Sequence, residues 1–239
     1  MISRIIFILF SIIIFSCTSN NNKQSIDLYG VDFSYDSIES ISNIRENRSM
    51  KKATFTKMTA GTQEDYVPIV EAAMVHSENL PERIIEHLNM LKDDFGGFAV
   101  DRYEHCLQTA SRAFRDGRDE EYVVCALLHD IGDILAPANH ADFAATLLEP
   151  YISEKNYWIL KHHGIFQGYY FFHFLGLDRH MRDKYKDNEH WKDCVEFCAK
   201  YDQNSFDPEY ESLPIETFLP MLKNVLSQTK KSIYKAEAS

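Results

Sequence analysis

The chain has 239 residues, 45% of them hydrophobic and 13% aromatic, with a formal net charge of -11 and a pI near 5.3. That length and apolar content suffice for one sizeable core and exclude disorder for the bulk of the chain. The acidity excludes a binder of nucleic-acid backbone, yet it leaves room for a small anion held locally by metal or by a few basic side chains.

At the N-terminus, Arg4 precedes an apolar run from Ile5 to Phe15. The run is too short to span a bilayer, which needs about 20 residues, and has the length of a signal-peptide core. No transmembrane domain is expected. Ile14-Phe15-Ser16-Cys17 is similar to a lipoprotein cleavage box. Residues 1–17 would then be a signal peptide, Cys17 a lipidated terminus and 18–36 a polar linker. A cytoplasmic enzyme is the competing expectation. Cys106, Cys125, Cys194 and Cys198 sit in apolar segments as core thiols, which suits a reducing compartment.

Thr62 is placed to cap a first helix opening with Gln63, Glu64 and Asp65 and running to about Asn79, with Pro68 tolerated near its start. Pro81 starts a second, striped by Ile84, Ile85, Leu88 and Leu91 and broken at Gly96-Gly97. A third runs from about Val100 to Asp116. The fourth, Glu120 to His129, is apolar on nearly every side from Tyr122 to Leu128 and reads as the buried central helix. The fifth spans His140 to Leu148, and the sixth follows a Ser153 cap into His162-His163. The seventh covers Glu189 to Tyr201, and the eighth covers Pro214 to Val225 with a bend at Pro220. Tyr169-Tyr170-Phe171-Phe172 could form a strand, but no partner strand follows it. The expectation is one all-α helical bundle over 37–226, with a polar tail at 227–239.

His105 lies inside the third helix, and His129-Asp130 ends the buried fourth. His140 opens the fifth, His162-His163 lie late in the sixth, and Asp202 closes the seventh. Ionisable groups at the end of a buried helix need partners or metal. Imidazole with carboxylate suits iron, manganese, zinc or nickel, and the two oxygens of Asp130 could bridge two ions.

His105, His129-Asp130 and Asp202 resemble the signature of the HD-domain superfamily, a helical fold known for metal-dependent phosphohydrolases. His140 and His163 match the two further histidines of its dinuclear members. Leu160-Lys161-His162-His163-Gly164-Ile165-Phe166-Gln167-Gly168-Tyr169 and Glu104-His105-Cys106-Leu107-Gln108-Thr109-Ala110 are similar to stretches of its mixed-valent diiron oxygenase branch. That branch includes myo-inositol oxygenase and the phosphonate oxygenases. The resemblance implies a first iron on His105, His129, Asp130 and Asp202. A second would share Asp130 and add His140 and His163, with His163 preferred to His162 by the family's spacing. It further implies an Fe(II)/Fe(III) pair with dioxygen as cosubstrate. The implied substrate is a small zwitterionic phosphonate, supplied by a separate hydroxylase. Asp133 and Gln108 are the implied candidates beside the reacting atoms.

The sequence departs from the relatives that act on an aminoethyl substrate. Their Tyr and Glu ahead of the first histidine are Phe95 and Phe98 here, a histidine after the Ile-Gly is Asp133, and a phosphonate-holding lysine is Gln167. Aromatic faces suit a methylated cation. Together with the similarity of about Asn43 to Val225 to a member of this branch, the resemblance implies 1-hydroxy-2-(trimethylammonio)ethylphosphonate as substrate, cleaved to glycine betaine and phosphate. Phe95, Phe98, Lys161, Gln167, Tyr169, Arg179 and Arg182 are the candidate substrate contacts. The alternative is an HD-domain phosphohydrolase acting on a nucleotide or small phosphoester. The sequence carries no sign of an oligomeric state.

Overall fold

The computed structural model describes residues 52–232, together with the backbone of 26–28 and 31–33. Among these residues there are eight α-helices. They are α1 (Gln63–Glu78), α2 (Leu80–Asn89), α3 (Arg102–Arg115), α4 (Glu120–Leu128), α5 (His140–Leu148), α6 (Glu154–Phe171), α7 (Trp191–Lys200) and α8 (Leu219–Leu226). The fold is an all-α bundle, preceded by a short antiparallel hairpin of β1 (Ile26–Leu28) and β2 (Val31–Phe33) with Asp27 opposite Asp32. The hairpin falls within the stretch expected to be a linker. The expected signal peptide and Cys17 lie outside the described residues. No helix of the described residues is long and apolar enough to cross a membrane.

Helix α4 sits at the centre because no face of it is polar. Every residue from Tyr122 to Leu128 is buried, and each large apolar side chain hidden in this way contributes about 1.5–3 kcal/mol. Its neighbours are α3, α6 and α8, while α6 is also packed by α5 and α7. The four cysteines Cys106, Cys125, Cys194 and Cys198 are all buried and unpaired, in line with core thiols. Asp101, Asp119 and Ser153 begin α3, α4 and α6, each accepting a hydrogen bond from the backbone N–H of Glu104, Tyr122 and Asn156 respectively. These caps fix where the histidines enter the core.

Gly132 is where the chain leaves α4 and meets the start of α5. A Cβ at that position would lie 2.8 Å from the His140 carbonyl oxygen. Only glycine lets His140 come so close to the end of α4.

The aromatic run from Tyr169 is the end of α6 followed by a 3-10 turn over Phe172–Leu175, not a strand. The eighth helix also differs from expectation. Pro220 does not bend a continuous helix; a 3-10 turn over Ile215–Thr217 stops first, and α8 restarts at Leu219 with Pro220 in its opening turn. Proline cannot donate to a preceding carbonyl, so it is accommodated where no such bond is required. The expected polar tail is docked as far as residue 232. The Lys230 and Lys231 amides donate to the Pro150 carbonyl at 2.6 and 3.1 Å, Lys230 pairs with Glu121, and Lys231 pairs with Glu154 at 3.1 Å.

The segment before α1 is tied down by one carboxylate. Asp65 accepts from the amides of Thr62 and Thr54 at 3.0 and 2.7 Å and from both threonine hydroxyls at 3.0 Å. The Thr54 and Thr62 amides, with the Thr62 hydroxyl, hold its carboxyl down at about 2. A carboxyl lowered in the folded state stabilises above its unfolded value near 3.8 and loses that contribution as pH falls toward 2. Hydrogen exchange at pH 6 should therefore show the Thr54 and Thr62 amides less protected in Asp65→Asn than in wild type. The difference should fade as pH falls from about 4 to about 2.

Candidate metal centre

Four imidazoles converge on the two oxygens of Asp130. On one side, Asp130 Oδ2 lies 3.4 Å from His105 Nε2 and 3.3 Å from His129 Nε2. Asp202 Oδ1 closes this side at 3.4 Å from His105 Nε2 and 3.8 Å from His129 Nε2. On the other side, Asp130 Oδ1 lies 3.0 Å from His163 Nε2 and 3.4 Å from His140 Nε2. The carboxylate thus divides two ligand groups, His105-His129-Asp130 and Asp130-His140-His163.

The tautomers follow from what holds the opposite nitrogen. His105 Nδ1 meets the Ser205 carbonyl at 2.8 Å, His129 Nδ1 the Ala126 carbonyl at 2.9 Å, and His163 Nδ1 the Leu160 carbonyl at 2.7 Å. His140 Nδ1 faces Asp133 Oδ1 at 3.2 Å. A carbonyl or carboxylate oxygen only accepts, so each Nδ1 must donate, and in neutral imidazole each Nε2 presents a lone pair inward. His105 Nε2 and His129 Nε2 are then 3.1 Å apart, among carboxylate oxygens. Asp202 Oδ2 is buried with no hydrogen-bond partner. Such a group of acceptors requires cations between its members. The two groups could hold one or two metal ions, with His and Asp donors that suit first-row transition metals.

Protons are the competing cations. Burial works against a charged His105, but hydrogen bonds to Asp130 and Asp202 outweigh it and raise the ring to about 9. Burial likewise opposes ionisation of Asp202, yet His105 and His129 hold its carboxyl at about 2. For Asp130, burial is overcome by the His129 charge and by bonds from three imidazoles, leaving the carboxyl well below its usual range.

The two halves of the centre differ in access. His129, His105 and Asp202 are essentially buried, whereas the His140 side chain is 28% exposed. The half that includes His140 is therefore the more open of the two. Asp133 supports that half from behind. It contacts His140 on one oxygen and Arg102 on the other, and Arg102 also reaches Asp94 at 3.2 Å. Burial and the nearby Asp130 charge push the Asp133 carboxyl up, against the pull of His140 and Arg102. Gly96, at φ +53°, leaves room for this arginine; a Cβ there would lie 2.7 Å from its Nη2.

The remaining candidates divide by position. Gln167 donates to Asp202 Oδ1 at 2.9 Å. Gln108 bonds the Asp207 carbonyl at 2.7 Å and accepts from the Asp207 amide at 3.3 Å, so it ties the turn after Asp202 to α3. Phe98 stacks on Phe206 at 4.8 Å, and Phe206 stacks on His105 at 4.3 Å. Phe95 stays half exposed. Lys161 is drawn to Tyr157 and Asp142 on an exposed face, and His162 stacks on Trp158 at 4.1 Å with Nδ1 on the Trp158 carbonyl. Tyr169 packs against Arg179 and Arg182.

Arg102, Phe206 and the Ser205 carbonyl were not singled out in the sequence. Only Arg102 left a usable sign there, three residues before His105 on one helix and so on a neighbouring face.

Comparison with known protein families matches residues 102–197 to the HD domain. The match contains five of the six ligand residues, with Asp202 just beyond it. No curated protein matches the chain.

Asp130→Ala should bind neither ion tightly, since both groups lose their shared oxygen donor, whereas His162→Ala should keep its full metal complement. Asp133→Asn and Arg102→Ala should retain the first ion and weaken the second by about 10–100-fold, the usual cost of losing a partner behind a ligand. Metal content after equilibrium dialysis at graded free metal reads all four variants. Metal uptake displaces protons from His105, so apparent affinity should climb as pH rises toward about 9 and fall in acid.

Proposed function

We propose that the chain, whose residues 102–197 match the HD domain and bring a clustered His/Asp group together, is a dinuclear metal enzyme acting on a small phosphorus oxyanion. The finer proposal is oxygen-dependent cleavage of the carbon–phosphorus bond of 1-hydroxy-2-(trimethylammonio)ethylphosphonate. The observation that carries it is the aromatic stack Phe98–Phe206–His105, which runs from the surface to a ligand ring of the centre. An aromatic wall suits a quaternary ammonium, which has no N–H to donate, and contributes about 0.5–2 kcal/mol.

The chain's own residues would then have distinct tasks. His105, His129, Asp130 and Asp202 would hold one ion, and Asp130, His140 and His163 the other. Gln167 orients Asp202, Ser205 fixes the His105 ring, and Asp133 with Arg102 fixes His140. The bound metals would supply Lewis acidity toward the phosphorus oxyanion and, as an Fe(II)/Fe(III) pair, the means of using dioxygen. The overall conversion is balanced by dioxygen alone, one oxygen atom ending in betaine carboxylate and the other in phosphate.

The second reading, a metal-dependent phosphohydrolase, is favoured by the HD-domain match, because hydrolysis employs the same kind of donor set. Oxygen separates the two. Under saturating oxygen the iron-loaded protein should release betaine and phosphate in equal amounts. The trimethylated substrate should exceed its primary-amine analogue by about tenfold in kcat/KM, about 1.4 kcal/mol. Equal rates on the two analogues would remove the role of the aromatic wall. Anaerobic phosphate release from simple phosphoesters, with no oxygen-dependent activity, would establish hydrolysis instead.

A further inference from the structure

Helix α6 presents more than His163 to the centre. Gln167 and Tyr170 follow His163 by four and seven residues and so share its stripe. Gln167 reaches the centre through Asp202. One turn further along, burial pushes the Tyr170 hydroxyl up, against the pull of the nearby Arg182 guanidinium. Arg182 comes from the 3-10 turn Met181–Tyr185, whose backbone is held by Trp191 Nε1 on the Arg182 carbonyl at 3.3 Å. Its guanidinium carbon lies 3.8 Å from the centre of the Tyr169 ring, and that of Arg179 lies 4.2 Å from the same ring.

Among the described residues neither guanidinium is paired with a carboxylate. The neighbouring acids are engaged elsewhere. Asp178 accepts from the His180 amide at 2.8 Å, and Asp183 holds Lys186 at 2.9 Å and His180 at 3.6 Å. Nε of Arg179 and both Nε and Nη1 of Arg182 are buried without a hydrogen-bond partner. Leaving charged donors unsatisfied is costly. The chain has 36 acidic against 25 basic residues, so two unpaired arginines against one tyrosine ring do not reflect a shortage of acids. What is missing is an acceptor, at the end of the stripe that leads to the metal ligands.

We propose that Arg182, backed by Arg179 and assisted by the Tyr170 hydroxyl, is the subsite for a tetrahedral phosphorus dianion, phosphonate or phosphate. The planar fork of arginine matches such an oxyanion in two parallel hydrogen bonds. Stacking on Tyr169 holds the fork in place before the ligand arrives. This inference rests on the phosphorus-substrate reading above and names the side chains that would take the anion.

The test is calorimetric titration of inorganic phosphate into the full-length, metal-loaded protein, with metal content and helical circular dichroism recorded for each variant. Arg182→Gln should weaken phosphate at least about tenfold, about 1.4 kcal/mol, while keeping both ions. Arg182→Lys, which retains the charge without the fork, should recover part of the loss. Arg83→Gln, at an arginine whose guanidinium donates to the His76 carbonyl at 2.6 Å, should match wild type. If Arg182→Gln loses metal or helicity, Arg179→Gln is read in its place with the same expectation. Unchanged phosphate affinity in the folded, metal-loaded arginine variant, or no phosphate binding by wild type, would overturn the subsite. Turnover plays no part in this readout. Phosphate binding that depends on Arg182, without oxygen-dependent cleavage, would keep the subsite and remove the oxygenase. Cleavage with phosphate affinity untouched would do the reverse.

Discussion

Mutual repulsion among acceptors is the constraint on which the rest of this structure depends. Each of the four Nε2 atoms lies 3.0–3.8 Å from an oxygen of Asp130 or Asp202. Nothing among them donates once each Nδ1–H has been given to a carbonyl or to Asp133. The bundle holds them there because the backbone around each ligand is fixed by something else. The central burial of α4 places His129 and Asp130, the Asp101 cap places His105, and the close approach at Gly132 places His140. Cohesion of the apolar core thus works against the repulsion at the centre, and metal or protons relieve it.

The centre is built asymmetrically. Its first half is walled in by His129, Asp202 and the Phe206 ring on His105, so its geometry is set by the core. Its second half rests on a half-exposed His140 whose orientation comes from Asp133, and Asp133 is itself held by Arg102. Arg102 also grips Asp94, in the loop that carries Phe95 and Phe98. Loop, arginine, carboxylate and imidazole therefore form one chain of contacts. A change at the aromatic loop can reach the second metal position without touching a ligand.

Much of this was legible in the sequence, for identifiable reasons. Seven consecutive apolar residues ahead of His129-Asp130 mark a helix with no solvent face, and a charged pair at its end marks a site. The Ser153 cap and the start of α5 at His140 depend on local backbone chemistry, which short-range patterns record. Other features depend on contacts between distant residues. The Ser205 carbonyl that fixes His105 is 100 residues away from it, and Gln108 meets Asp207 across 99. Gln108 has a polar side chain beside a ligand, which suggests chemistry, but its amide is used to hold the turn carrying Asp202. The choice between His162 and His163 turns on the rotation of α6, displayed by His163 Nε2 beside Asp130 and by Trp158 stacked on His162. The break before α8 reflects where Pro220 can be tolerated, which a helical average over 214–225 conceals.

Asp130 divides two groups of metal-ligating side chains, and the proposed function requires an ion in each. Anomalous X-ray diffraction from crystals of the iron-loaded protein, collected on both sides of the iron absorption edge, tests it directly. The account predicts two iron peaks, one bounded by His105, His129 and Asp202 and the other by His140 and His163, with Asp130 between them. A single peak, or two peaks neither of which touches Asp130, would contradict it.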